Sequence, residues 1–336
     1  MMRSRALRIA FSIGISVVFL WFALRDIDWN GALAAFASAQ YLYFVPIVAI
    51  TVFQLYIRAQ RWRVLLRPLG EPPMASLVAA TNIGTMANFL LPLRAGEIIR
   101  PVLLSRREEK PIGGVLATIA LERIFDMFTI LLLFGITAAL LPVSADVQAW
   151  GERLLVLAIA IGAGIAFVRW RSALALRLLG FFLRPLPDKV AGPVRQFFEG
   201  FLDALAILDS PKEFFLLIGW SIYLWLVVSC IFGLGLLMFD IEAPFLLGQI
   251  VVTVVVAVAV SAPSAPGFIG AFQLGCVLSL GIFGVPTDKA AAYSLALHVT
   301  QFVGVIGAGL FSLAQQGMSF GQVGEVTGSN GALPRE

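Results

Sequence analysis

Apolar runs long enough to cross a bilayer recur along this chain, and they leave few architectures open. Six of them read as full spans, at about residues 7–24, 41–57, 112–141, 153–168, 213–238 and 290–315. A hydrocarbon core about 30 Å thick needs about 20 apolar residues of helix. Backbone out of reach of water must satisfy its own hydrogen bonds, and a helix does so within one segment. Charged residues make up 13% of the chain, where soluble proteins carry about 25%. The sequence therefore predicts an all-α polytopic membrane protein. The formal net charge of +4 points to cytoplasmic loops and not to nucleic acid.

The amino terminus resembles a secretory signal. MMRSRALR precedes an apolar stretch, and FASA at 36–39 resembles a cleavage site. That site lies too far past the apolar run, with RDIDWN between, so 7–24 is expected to be a retained first span.

Two further regions are apolar but interrupted: 75–105, broken at NFLLPLRAG, and 244–283, broken at SAPSAPGFIG. Basic residues set the orientation. With Arg3, Arg5 and Arg8 inside, a loop carrying Arg58, Arg61, Arg63 and Arg67 is also inside, and so are Arg106, Arg107 and Lys110. The 75–105 segment then starts and ends on the cytoplasmic face, which makes it a re-entrant helical hairpin. Residues 75–88 rise about 20 Å at about 1.5 Å per residue, far enough to reach mid-bilayer. The 244–283 segment behaves likewise from the outer face. Six full spans plus two re-entrant hairpins then form two inverted-topology repeats, about 7–141 and 153–315, in one membrane domain over 1–315. Such paired interrupted segments mark a midplane site in transporters. Both termini are expected to be cytoplasmic, at the cell membrane. Residues 169–212 read as amphipathic helices, lying on the inner leaflet or packed on the bundle. The Gly-rich 316–336 tail reads as disordered.

The break in 75–105 carries Asn88, Pro92, Arg94, Glu97 and Arg100, and the next span carries Glu122, Arg123 and Asp126. On a helix Glu122 and Asp126 share a face, and Arg123 and Asp126 can pair. One charge at the centre of a span costs about 2.5–3.5 kcal/mol, so a group of them must pair, face a wet cavity, or both. The cluster is thus either a structural ion-pair network or a pocket for a charged substrate. The second break has no charge, but Pro263 and Pro266 interrupt the helix, and Gly267 and Gly270 allow close backbone approach. Half-helices starting after Ala95 and near Phe268 would aim their N-termini at the midplane, a setting suited to an anion such as phosphate. His298, the only histidine, reads as a hydrogen-bonded interior residue with Gln301 as a candidate partner, ahead of a proton-relay role. Cys230 and Cys276 read as small buried hydrophobes. No metal-ligand group and no cofactor motif is present, so no cofactor is expected.

These stretches carry a resemblance. Asn88, Pro92, Arg94, Gly96, Glu97 and Arg100, then Glu122, Arg123 and Asp126, then Pro263, Pro266, Gly267 and Gly270 resemble the flippase-like transmembrane domain of the lysylphosphatidylglycerol synthase family. The likeness covers about residues 7–315 and suggests a stand-alone form without the synthase domain. Phe268 and Gln273 depart from the glycine and glutamate common in that family. The resemblance implies a lipid-handling protein that is not an enzyme: a translocator of an anionic phospholipid or a polyprenyl-phosphate-linked lipid. The expected substrate-binding residues are Arg94, Glu97, Arg100, Glu122, Arg123, Asp126, Asn88, Pro266 and Gly267. A lipid-synthesis enzyme is a possible partner. The alternatives are a membrane-embedded lipid-modifying transferase and a structural subunit of an envelope-lipid synthesis complex.

Overall fold

The computed structural model describes residues 27–140, 167–184, 187–262 and 264–319, with single positions and short stretches between 14 and 23 and between 153 and 164. The expected spans 7–24 and 153–168 fall largely outside the described residues. Residues 141–152, Pro263 and residues 320–336 of the expected tail fall wholly outside them.

Among the described residues there is no strand. Three helical stretches, Tyr41–Leu69, Pro211–Met238 and Thr287–Gln315, are long and apolar enough to cross a membrane. The chain is a helical membrane protein. Its helices are α1 (Trp29–Ser38), α2 (Phe44–Leu66), α3 (Met74–Leu90), α4 (Gly96–Arg107) and α5 (Ile112–Leu140), then α6 (Ser172–Leu183), α7 (Asp188–Ala204), α8 (Pro211–Met238), α9 (Phe245–Ser261), α10 (Ala271–Gly281) and α11 (Thr287–Gln315).

Two elements differ from the sequence reading. Residues 25–40, which join the first two expected spans, contain α1, because the Asp28 carboxylate accepts the free N–H groups of Asn30 and Gly31 at 3.0 and 3.2 Å and so starts a helix in an alanine-rich run. The expected basic loop after residue 57 is the last turns of α2, which continues to Leu66. Arg58 and Arg61 therefore belong to a helix face, and Arg61 is fully buried.

The chain divides into two compact units that interleave along the sequence. The first comprises Met1–Tyr56, Asn82–Glu97 and Leu224–Gly317, and the second comprises Ile57–Thr81, Ile98–Tyr223 and Met318–Glu336.

In the first unit α9 and α10 fold back on each other around Gly275, whose added Cβ would lie 2.9 Å from Val256 Cα. The α10 helix packs on α11, and α11 packs on α1. Their core joins Ile47, Phe232, Phe239, Val256, Phe272, Tyr293 and Leu297, and the Tyr293 hydroxyl donates to the Phe232 carbonyl at 2.9 Å. The end of α3 lies along α11, where Asn82 Nδ2 donates to Ser312 Oγ at 2.9 Å and a Cβ on Gly309 would meet Met86 at 2.5 Å.

In the second unit α7 packs on α5. Gly200 makes this possible, since its added Cβ would lie 2.6 Å from the Gly114 nitrogen. The bundle-packed alternative thus describes α7. In the same unit, Arg67 pairs with Glu213 and with Glu71, and Lys110 Nζ donates to the Leu69 carbonyl at 2.7 Å.

Candidate functional site

The first unit holds both interruptions. After α3 the chain makes a 3-10 turn at Pro92–Arg94, and after α9 a second one at Pro266–Phe268. The two turns share a pair of left-handed residues and then diverge, at Ala95 with ψ −27° and at Ile269 with ψ 134°. Leu93 and Arg94 have φ of 61° and 52°, and Gly267 and Phe268 have φ of 69° and 62°. In each case a proline precedes the two left-handed residues, and a glycine follows two positions later, Gly96 or Gly270. Gly96 fits only as glycine: its Cβ would lie 1.8 Å from the Gly84 carbonyl and 2.7 Å from Asn88 Oδ1.

The turns touch each other. Arg94 Nη2 donates to the Val260 carbonyl, and the Arg94 guanidinium carbon lies 5.2 Å from the centre of the Phe268 ring. Phe89 meets Phe268 edge-on with centroids 5.6 Å apart. Behind them runs a chain of hydrogen bonds. The Gly270 N–H donates to Gln273 Oε1 at 2.8 Å, so the other end of that amide, Nε2, donates to His298 Nδ1 at 2.8 Å. His298 Nε2 then donates to the Gly267 carbonyl at 2.7 Å. This chain assigns the neutral Nε2–H tautomer. His298 is hydrogen-bonded and buried as expected, with Gln273 in place of Gln301 as its partner. Glu97 lies half-buried in the first turn of α4, where a carboxylate suits the helix dipole.

The second unit holds the buried charges. Glu122 is fully buried in α5, and four guanidinium groups converge on its Oε1: Arg100 at 3.1 Å, Arg61 at 3.2 Å, Arg123 at 3.3 Å and Arg58 at 3.4 Å. One turn on, Asp126 takes Arg61 Nη1 at 2.6 Å and Arg123 Nη1 at 3.3 Å. The pairing of Arg123 with Asp126 that their spacing suggested is present. Arg61 Nη1 also reaches Ser221 Oγ at 3.4 Å, and the Arg100 guanidinium lies 4.0 Å over the Trp62 ring, whose Nε1 donates to Thr118 Oγ1 at 2.9 Å. The arginines are not saturated. Nε and Nη2 of both Arg61 and Arg100 are buried with no hydrogen-bond acceptor among the described residues.

Of the residues expected from sequence, the structure brings Arg100, Glu122, Arg123 and Asp126 together in the second unit. Asn88, Arg94, Glu97, Pro266 and Gly267 lie in the first. Arg58 and Arg61 were missed as site residues. Their signal was the apolar Val64-Leu65-Leu66 that follows RAQRWR, which continues the helix past the charges.

A helical membrane protein with a buried arginine–carboxylate cluster and two proline-containing helix breaks is the class defined by these features. The chain belongs to the family described as the lysylphosphatidylglycerol synthase TM region, which it matches over residues 9–309. It is also similar to the glycosyltransferase AglD of Haloferax volcanii, at 25% identity over 322 residues, covering 86% of this chain and 51% of that protein. The chain thus spans about half the length of this curated relative. No solved structure matches it. The expectation that the chain is not an enzyme is corrected by this relative, a glycosyltransferase by name.

Proposed function

We propose that the arginine cluster binds the phosphate of a membrane lipid, and that the chain carries this headgroup between leaflets while the acyl or prenyl tails stay in lipid. The observation that carries this reading is the convergence of four arginines on Glu122 with N–H groups of Arg61 and Arg100 left over. Two carboxylates hold the four cations in place, and the remaining donors suit a phosphate, which accepts charge-assisted hydrogen bonds from guanidinium forks. In this reading the chain lies in the cell membrane with both termini cytoplasmic. Its two hairpins are re-entrant, and its two halves are inverted repeats. Glu97, Asn88, Pro266 and Gly267 shape the hairpin turns, and Arg94 links them.

The Haloferax relative favours a second reading, in which the bound lipid phosphate takes part in glycosyl transfer. Arginines around a phosphate stabilise the charge that develops when a glycosyl–phosphate bond breaks.

Proteoliposomes test both. Headgroup-labelled lipids are reconstituted with the wild-type chain, with Arg123→Gln and with Arg100→Lys. Headgroup-selective leaflet exchange, lowered by both substitutions, supports translocation. Sugar release from a glycosyl-phospholipid supports the transferase reading. Neither activity from a folded chain overturns the proposal.

A further inference from the structure

We propose that α6 is an in-plane membrane anchor that recruits anionic lipid. One flank of the helix sits in the acyl region, and Arg177 and Arg184 hold lipid phosphates at the level of the headgroups. This surface is separate from the cluster around Glu122 and stands without the phosphate-binding reading of that cluster.

The α6 helix, SALALRLLGFFL, has 12 residues. At about 1.5 Å per residue it is about 18 Å long, too short for a hydrocarbon core of about 30 Å. A helix this apolar in water would be buried, and α6 is not. Leu174, Leu178, Phe181 and Phe182 are all exposed, the two rings at 63% and 69%. Ala175 and Leu183 are its buried residues, and α7 is the helix it packs against. Helical geometry sorts these side chains by direction. Arg184, whose backbone is still helical, lies within about 20° of Arg177 around the axis. The four exposed apolar side chains lie about 40–140° from Arg177, all on the same flank, and Ala175 and Leu183 lie beyond them at about 160–240°. A basic edge, an apolar flank and a packed side thus follow one another around the helix. A helix lying in the membrane interface has this layout. Trp170, just before α6, is 85% exposed, and tryptophan favours the same boundary.

Charge names the lipid. The stretch from Arg169 to Arg184 contains four arginines and no acid. Arg169 is engaged by Asp209. Arg171, Arg177 and Arg184 are exposed. Basic residues at this level are drawn to a negatively charged leaflet, each by about fivefold in binding. Their long side chains reach headgroup phosphates while the stems stay against apolar surface. A leaflet presents phosphate and hydrocarbon side by side, which is the pairing α6 displays, in a chain already seated in a membrane. An acidic soluble partner would match the arginines alone.

The test is electron paramagnetic resonance on the full chain in nanodiscs. A nitroxide is attached through Phe182→Cys or, separately, Leu178→Cys, each combined with Cys230→Ser to remove the exposed native thiol, while Cys276 is fully buried. Both labels are expected to be open to dissolved oxygen and shielded from a water-soluble nickel chelate, as sites below the headgroups are. Phosphatidylglycerol or phosphatidylcholine with a nitroxide high on one acyl chain then reports the local lipid, by dipolar broadening of the protein label. At equal mole fraction, phosphatidylglycerol is expected to broaden the Phe182→Cys spectrum at least about twofold more than phosphatidylcholine, and Arg177→Gln with Arg184→Gln to remove most of that difference. Labels open to the nickel chelate would place α6 in water, facing a soluble partner, and overturn the anchor. Broadening between protein labels without spin-labelled lipid would make a second copy of the chain the occupant and overturn it too. Shielded labels with equal broadening by the two lipids, or a preference that survives the double substitution, would overturn anionic recruitment by these arginines.

Discussion

Arg61 donates from Nη1 to Asp126 Oδ1 at 2.6 Å, joining the end of α2 to the middle of α5 through two buried side chains. A lone charge in that position would be expelled or neutralised. Here each ion is also held by others, since Arg61 reaches Glu122 and Asp126 reaches Arg123. The cluster therefore behaves as one unit, and removing a buried member strands the rest.

Arg61→Ala is expected to cost about 3–5 kcal/mol, the range for breaking a buried pair. Arg123→Gln is expected to cost about 1 kcal/mol or less, because that side chain is 44% exposed. Thermal unfolding in detergent measures both. Equal losses would show that burial does not rank these residues.

The two turns predict opposite outcomes for reciprocal substitutions. Leu93 is exposed and held at φ 61°, where a branched side chain is strained by about 1–2 kcal/mol, so Leu93→Gly is expected to keep or raise stability. Gly267 has φ 69°, and an added Cβ would lie 2.5 Å from Phe302 Cζ. Gly267→Ala is expected to lower stability. The same unfolding assay checks both, and a gain from Gly267→Ala would contradict the turn geometry.

His298 and Gln273 act through one chain of hydrogen bonds that ends on the carbonyl of Gly267 and the N–H of Gly270. Truncating either frees the other. A double-mutant cycle of His298→Ala and Gln273→Ala is expected to show coupling of about 0.5–3 kcal/mol. Additive losses would mean that the two side chains are independent.

Arg94 links the turns by donating to the Val260 carbonyl and lying over Phe268. Arg94→Ala is expected to lower leaflet exchange several-fold, and Arg94→Lys to restore part of it, because an ammonium keeps the charge but not the planar stacking. Exchange at the wild-type rate in Arg94→Ala would dissociate the link from transport.

Much of this was legible from hydropathy, because a span is a strong and simple signal. The α5, α8 and α11 helices begin and end within a few residues of the expected bounds, and both interruptions fall where proline and glycine were read as breaks. The trio Glu122, Arg123 and Asp126 stood out as charge inside an apolar run. Arg58 and Arg61 did not, because charges at the end of an apolar run look like the end of a span. Only the tertiary partners, Glu122 and Asp126, turn them into buried residues. The α1 helix was missed because ten residues with a single Asp28 cap fall below any span-length signal. The left-handed pair that the two turns share was foreshadowed in the sequence by proline and glycine at the same spacing. It was masked by dissimilar residues between them, since Leu93 and Arg94 adopt a conformation usually left to glycine.

The central claim is that Arg61 and Arg100 grip a lipid phosphate, and solid-state NMR recoupling between arginine nitrogen-15 and lipid phosphorus-31 measures it directly. With the chain reconstituted in phosphatidic acid, guanidinium nitrogens are expected within about 4 Å of phosphorus, the reach of a charge-assisted hydrogen bond. The coupled signals should diminish in Arg61→Lys and Arg100→Lys. Coupling that is absent, or that survives both substitutions unchanged, would place the phosphate elsewhere and return the cluster to a purely structural role.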